Sequence, residues 1–144
     1  MLVSQILKSK GDQGVVTVKP GTSVSDAAKI LAEKRIGTVV VSSDGSSADG
    51  ILSERDIVRE LAKQGGACLA EPVNTYMTSE LVTCTMRDDL NDVLAKMTEG
   101  RFRHMPVLEG DKMIGLITLG DAVKARLSEL AMEKDALQGM IMGH

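Results

Sequence analysis

Two stretches of this chain place a hydroxyl and a carboxylate three residues apart: "GILSERDIV" from Gly50 to Val58 and "GLITLGDAV" from Gly115 to Val123. Each runs Gly, two apolar residues, Ser or Thr, two variable residues and Asp, and then enters a segment with apolar periodicity. One chemistry open to such a pair is local. In the pattern [ST]-x-x-[DE] the hydroxyl accepts from a free N–H of a first helical turn while the carboxylate reaches back to the chain before it, which makes a capping box. The other is to hold a ligand with the same carboxylate. Spacing alone permits both for Ser53 with Asp56 and for Thr118 with Asp121.

Other reactive residues are sparse. Around His104 the chain supplies no nucleophile elbow, HExxH or Walker pattern, so the choice there lies between a polar residue at a strand start and a ligand contact. Cys68 and Cys84 lack metal-ligand spacing to each other or to His104 and are too few for a disulfide framework; they are expected to behave as small apolar residues. No metal and no catalytic cofactor is expected.

Composition narrows the classes further. The 144 residues are 43% hydrophobic and 26% charged, with a formal net charge of -3, and no apolar run approaches the roughly 20 residues that span a bilayer. A broad nucleic-acid footprint would need a basic excess. Stacking platforms need several aromatics, whereas this chain has Tyr76, Phe102 and no Trp. The start "MLVSQILKSKGDQG" does not read as an export signal, so a soluble, cytoplasmic protein without nucleic-acid or membrane partners is expected.

The elements that must position the two boxes form an internal repeat. Gly50, Ser53 and Asp56 match Gly115, Thr118 and Asp121 at an offset of 65, and "VTVKPGTSVSDAAKIL" from Val15 answers to "VTCTMRDDLNDVLAKM" from Val82. Each copy predicts a short strand (Val15 to Val18; Leu81 to Thr83) and then a helix. The helical periods are Val24, Ala27, Ala28 and Leu31 in the first, Leu90, Val93, Leu94 and Met97 in the second, with Ser23 and Asp88 at the N-cap positions. Two strands follow, Thr38 to Val41 and Gly50 to Ser53, or Met105 to Leu108 and Met113 to Thr118, and a closing helix. The fold class is therefore α+β, a β-α-β-β-α unit used twice. One copy of about 60 residues buries too little surface alone, so the copies are expected to pack as a pseudo-twofold pair. The expected boundaries are 1–72 for the first repeat with a short N-terminal helix, 73–131 for the second, and 132–144 for the end of an extended C-terminal helix and tail. On that helix Val123, Leu127, Leu130, Leu137 and Ile141 make a seam with steps of mostly 4 and 3, which fits either its own domain or a dimer contact.

With "GILSERD" and "GLITLGD" closing the two copies and "RHMPV" in the second, the chain closely resembles the cystathionine-β-synthase (CBS) domain pair, from about Leu2 to Leu130. The resemblance implies two adenosine-nucleotide sites in the cleft between repeats. Asp56 and Asp121 would hold ribose hydroxyls, with Ser53 and Thr118 beside them on ribose or phosphate. A vicinal diol offers two O–H donors, and an ionised carboxylate only accepts, so the two match. Adenine contacts carried over from the family fall on Thr17, Val18, Ile36, Gly37 and Thr38 in the first site, and on Val82, Thr83, His104, Met105 and Pro106 in the second. Cations suited to phosphate are Arg55 in the first and Arg101, Arg103 or His104 in the second. The family takes AMP, ATP or a dinucleotide such as NAD, and "ER" in one box against "LG" in the other implies that the two sites differ. The expected function is a non-enzymatic regulatory module that binds an adenine nucleotide, forms a homodimer and signals to a separate protein. The alternative is a dimeric interaction scaffold with vestigial sites.

Overall fold

The computed structural model describes residues 1–11 and 14–141, so residues 142–144 of the expected C-terminal tail lie outside the described residues. The chain is mixed α+β, and its packing divides it into two bodies. Of the described residues, the first body holds 14–81 and 109–114; the second holds 1–11, 82–108 and 115–141. The repeat boundary at 72/73 and the packing boundary thus differ. The N-terminal segment packs with the second repeat, and the connector from Lys63 to Glu80, in which the sequence predicts one short helical turn, stays with the first.

In the first body, β1 (Thr17–Val18), α2 (Val24–Lys34), β2 (Thr38–Val41), β3 (Gly50–Ser53) and α3 (Glu54–Gln64) follow the expected order, after α1 (Val3–Lys10). β1 runs parallel to β2, and β2 antiparallel to β3, giving a sheet in the order β1-β2-β3. α2 starts where Ser23 Oγ accepts from the Asp26 N–H at 3.1 Å. It buries Val24, Ala27 and Leu31 against Val39, Val41 and Leu52 of the sheet. The connector, expected to hold one helical turn around Val73 to Met77, forms two 3-10 helices, Gly65–Ala70 and Val73–Thr75. Val73 is fully buried in this core.

The second body contains α4 (Leu90–Gly100), β4 (His104–Glu109), β5 (Lys112–Thr118) and α5 (Leu119–Ile141). Two expectations are corrected here. Asp89, not Asp88, caps α4, its carboxylate accepting from the Asn91 N–H at 3.0 Å, while Asp88 accepts from the Thr85 N–H. The strand expected at Leu81 to Thr83 does not form; the parallel contact is a single bridge between Cys84 and Val107. The cause is one residue. In the first body the Val40 N–H donates to the Val16 carbonyl, but the position matching Val40 is Pro106, which has no N–H to give. What survives is the bond from the Cys84 N–H to the Pro106 carbonyl and that from the Leu108 N–H to the Cys84 carbonyl.

The core of this body gathers Leu90, Val93 and Met97 of α4, Met105, Val107 and Ile117 of the strands, Ala122 and Ala125 of α5, and Val3 and Ile6 of α1. Main-chain bonds from Val3 N–H to the Asp88 carbonyl and from Leu90 N–H to the Met1 carbonyl seat the start of the chain beside α4. Beyond Ala125, α5 exposes Leu127, Leu130, Leu137 and Ile141, and Val123 is also exposed. The seam read from the sequence is therefore not covered by the described chain. Among the described residues, no helix is long and apolar enough to cross a membrane.

Candidate nucleotide sites

The two boxes form as closed hydrogen-bonded units. Ser53 is the N-cap of α3: its Oγ accepts from the Asp56 N–H at 3.2 Å, and its own N–H and hydroxyl donate to Asp56 Oδ2 at 2.9 and 3.0 Å. In the second body Thr118 Oγ1 accepts from the Asp121 N–H at 3.1 Å, and the Thr118 N–H donates to Asp121 Oδ2 at 2.9 Å. Capping is thus a role both pairs perform. It also fixes each carboxylate at the start of a helix, where partial positive charge favours anions.

A second recurring bond brings strand and helix starts together. The Glu54 N–H donates to the Gly37 carbonyl at 2.9 Å, and the Leu119 N–H donates to the Arg103 carbonyl at 2.8 Å. Thr38 and Ser53 are direct partners across β2 and β3. Gly37, Thr38, Ser53 and Asp56 are thereby held in one place, with Thr17 at the edge of the same sheet. The hydroxyl of buried Thr38 donates to the Leu52 carbonyl at 3.1 Å and is committed to the sheet. Val18 packs into the core and Ile36 lies partly buried against it. Arg55 is exposed.

In the second body the register shifts the correspondence. Thr83 and Cys84 match Thr17 and Val18, because Cys84 pairs with Val107 as Val18 pairs with Val41. Val82 lies one position outside and is exposed, while Thr83 is partly buried. Met105 and Pro106 are buried, Met105 completely, so their side chains serve the core. The Pro106 carbonyl already accepts from Cys84. Arg101 ends α4 in the left-handed conformation (φ 55°), as Arg35 ends α2 (φ 54°). Arg101 and Arg103 are exposed, His104 is partly buried at the start of β4, and neither arginine forms an ion pair among the described residues.

Arg59 and Lys10 escaped the sequence reading, which takes Glu54 as a surface residue, and Glu54 is exposed. Arg59 Nη2 lies 2.6 Å from Asp56 Oδ1, a spacing of three on one helix that the sequence does display. Glu54 leans over Gly37, where a Cβ would meet its Oε1 at 3.6 Å. Lys10 Nζ reaches Asp121 Oδ2 at 2.7 Å and the Leu116 carbonyl at 2.8 Å, a contact across the fold with no local signal. Burial works to raise the Asp121 carboxyl. The hydrogen bond and charge of Lys10, with the Thr118 N–H, outweigh it and hold the group below the usual carboxylate range. Both cysteines are free and buried, and burial pushes the Cys84 thiol up to about 11. Among the described residues no group of three His, Cys, Asp or Glu is arranged to hold a metal ion.

Comparison with known proteins agrees with this architecture. The chain is 32% identical to the mitochondrial CBS domain-containing protein CBSX3 of Arabidopsis thaliana over 98% of its own length and 72% of that protein's. The crystal structure of a CBS-domain containing protein from Agrobacterium tumefaciens superposes with a TM-score of 0.83 at 41% identity, over 88% of this chain and 99% of the other. That of CBSX2 in complex with AMP gives a TM-score of 0.69 at 31% identity, over 81% and 90%. The family model for the CBS domain matches residues 3–63 and 73–128, both copies of the repeat, and the chain belongs to the CBS domain family.

Proposed function

We propose that this chain is a regulatory, non-catalytic module that binds an adenine nucleotide at Asp56 and at Asp121 and reports its presence to another protein. The observation that carries the reading is the arrangement made twice. In each body a carboxylate is pinned at a helix start by the N–H of a hydroxyl residue, and the first residue of that helix bonds the carbonyl of Gly37 or Arg103 at the start of the neighbouring strand. A ribose diol supplies the O–H donors such a carboxylate accepts, main-chain groups of the strand starts suit a purine edge, and Arg55, Arg101 and Arg103 suit phosphate. CBSX2 in complex with AMP makes AMP the first ligand to test, with ATP and NAD after it.

The chain is also proposed to pair with a second copy of itself. Along α5 the exposed Val123, Leu127 and Leu130 follow steps of 4 and 3, a pattern that a like helix can match.

A scaffold with unused sites is the second reading, favoured by the fact that Asp56 and Asp121 already have cationic partners within the chain, Arg59 and Lys10. Calorimetric titration of AMP, ADP, ATP, NAD and S-adenosylmethionine into wild type, Asp56→Ala and Asp121→Ala separates the two. Nucleotide binding predicts that each substitution removes one binding event while helix content is retained. Binding events that survive both substitutions, or no binding at all, would overturn it.

A further inference from the structure

We propose that Lys10 is a latch on the second site: its ammonium competes with the ligand's ribose for Asp121, so that occupancy there is coupled to the seating of α1. The inference rests on the reading of Asp121 as a ribose-binding carboxylate. Lys10 is the last residue of α1, and its ammonium bridges Asp121 Oδ2 at 2.7 Å and the Leu116 carbonyl at 2.8 Å. The Lys10 and Asp121 side chains are only 24% and 21% exposed, so the pair is partly shielded from water. One turn earlier, Leu7 fills the space over Gly115, where an added Cβ would approach it to 2.8 Å. The end of α1 is thus fastened to β5 and the start of α5 by an apolar contact and by this ammonium.

A neutral diol and an ammonium ask the same thing of Asp121. Each is a donor, and the oxygen that Lys10 uses also accepts from the Thr118 N–H. A ribose that takes up the carboxylate must displace the ammonium or share the group with it, and either weakens the latch. By linkage, the free energy that the latch contributes to seating α1 is withheld from the ligand, and ligand binding loosens α1 by the same factor. Among the described residues the first site has no such device. Asp56 is paired with Arg59, which sits on the same helix and ties down no distant segment. The two sites therefore differ in what they move.

The test is titration of adenosine, which carries the ribose and no phosphate, into wild type, Lys10→Met, Asp121→Asn and the double variant. The second site is the binding event that Asp121→Asn removes. Lys10→Met is expected to tighten that event about fivefold, the scale of a partly shielded ion pair. In the Asp121→Asn background the same change is expected to do nothing. A merely structural role for Lys10 moves the affinity the other way or not at all, and either result overturns the latch. Hydrogen exchange of wild-type α1 gives a readout that needs no variant: amides 5–10 should exchange faster with adenosine bound, and unchanged or slower exchange overturns the proposal. If adenosine binds and Asp121→Asn leaves its affinity unaltered, the ribose role of Asp121 fails, and the latch with it.

Discussion

Asp56 and Arg59 face each other one turn apart on α3, with Nη2 2.6 Å from Oδ1, while the other carboxylate oxygen accepts from both the N–H and the hydroxyl of Ser53. The carboxylate is nearly buried, its side chain 12% exposed, and both its oxygens are engaged, whereas Arg59 is 53% exposed. The cap bonds therefore outweigh the exposed end of the ion pair. Ser53→Ala should cost about 1 kcal/mol and Asp56→Ala about 2 kcal/mol of unfolding free energy, whereas Arg59→Met should cost about 0.5 kcal/mol or less. Urea denaturation of the three variants gives the order directly. An Arg59→Met loss equal to that of Asp56→Ala would show that the ion pair, not the box, carries the energy.

The motif glycines have a packing role beside their place in the box. A Cβ on Gly50 would lie 2.4 Å from Met77 Sδ, and one on Gly115 would lie 2.8 and 2.9 Å from the two methyls of Leu7. In both bodies the strand leading to the box leaves room for an apolar side chain brought in from a neighbouring segment. Overfilling such a space costs about 1–3 kcal/mol. Gly115→Ala should fall in that range, and Gly50→Ala lower in it, because the Met77 side chain is unbranched and can yield. Thermal unfolding measures both. Adding Leu7→Ala to Gly115→Ala should lose less than the sum of the single losses, since the added methyl then has space; strict additivity would remove the contact from the explanation.

The local parts of this architecture were legible in the sequence, and the long-range parts were not. Thr38 to Val41 and Gly50 to Ser53 form the strands expected of them, and both boxes cap helices as their spacing permits. The strand at Leu81 to Thr83 failed because it depends on a donor elsewhere, and Pro106 has none. Asp88 was a reasonable cap by type, yet chain geometry gives the role to Asp89 next to it. Lys10 was invisible as a site residue: what brings it to Asp121 is the packing of α1, through Val3 and Ile6, into the second body's core. The same packing redraws the body boundary, since periodicity marks the repeat without saying which repeat a terminal helix joins.

Acid should weaken the chain in a definable window. Asp44 is held at about 2 by the N–H groups of Ser47 and Ser46 and then by the Ser47 and Ser42 hydroxyls, and Asp121 is held low despite its burial by Lys10 and Thr118. A carboxylate with a depressed folded value contributes stability above its unfolded value, about 4, and loses it as pH falls through the folded value. Stability should accordingly decline from about pH 4 toward about pH 2, with the Asp44 turn among the last parts to protonate. Carboxyl-carbon NMR should place the Asp44 midpoint near 2. Lys10→Met should move the Asp121 midpoint upward, and an unmoved midpoint would mean that the ammonium is not paired with it in solution.

The exposed stripe on α5 bears on assembly. Leu127 is 63% exposed and Leu130 44%; with the exposed Val123 they follow steps of 4 and 3, on a different face of the helix from the buried Ala122 and Ala125. An apolar stripe of this length is more favourable against a like helix than against water, at roughly 25 cal/mol per Å² of apolar surface removed. The unaltered chain should therefore sediment as a dimer, and Leu127→Glu with Leu130→Glu should sediment as a monomer of unchanged helix content, because neither residue belongs to the core. The substituted positions lie on α5 well beyond Asp121, so each site's affinity for AMP should persist in the monomer if the carboxylates act within their own bodies. A monomeric unaltered chain, or a dimer indifferent to both charges, would mean that a second copy does not cover this face.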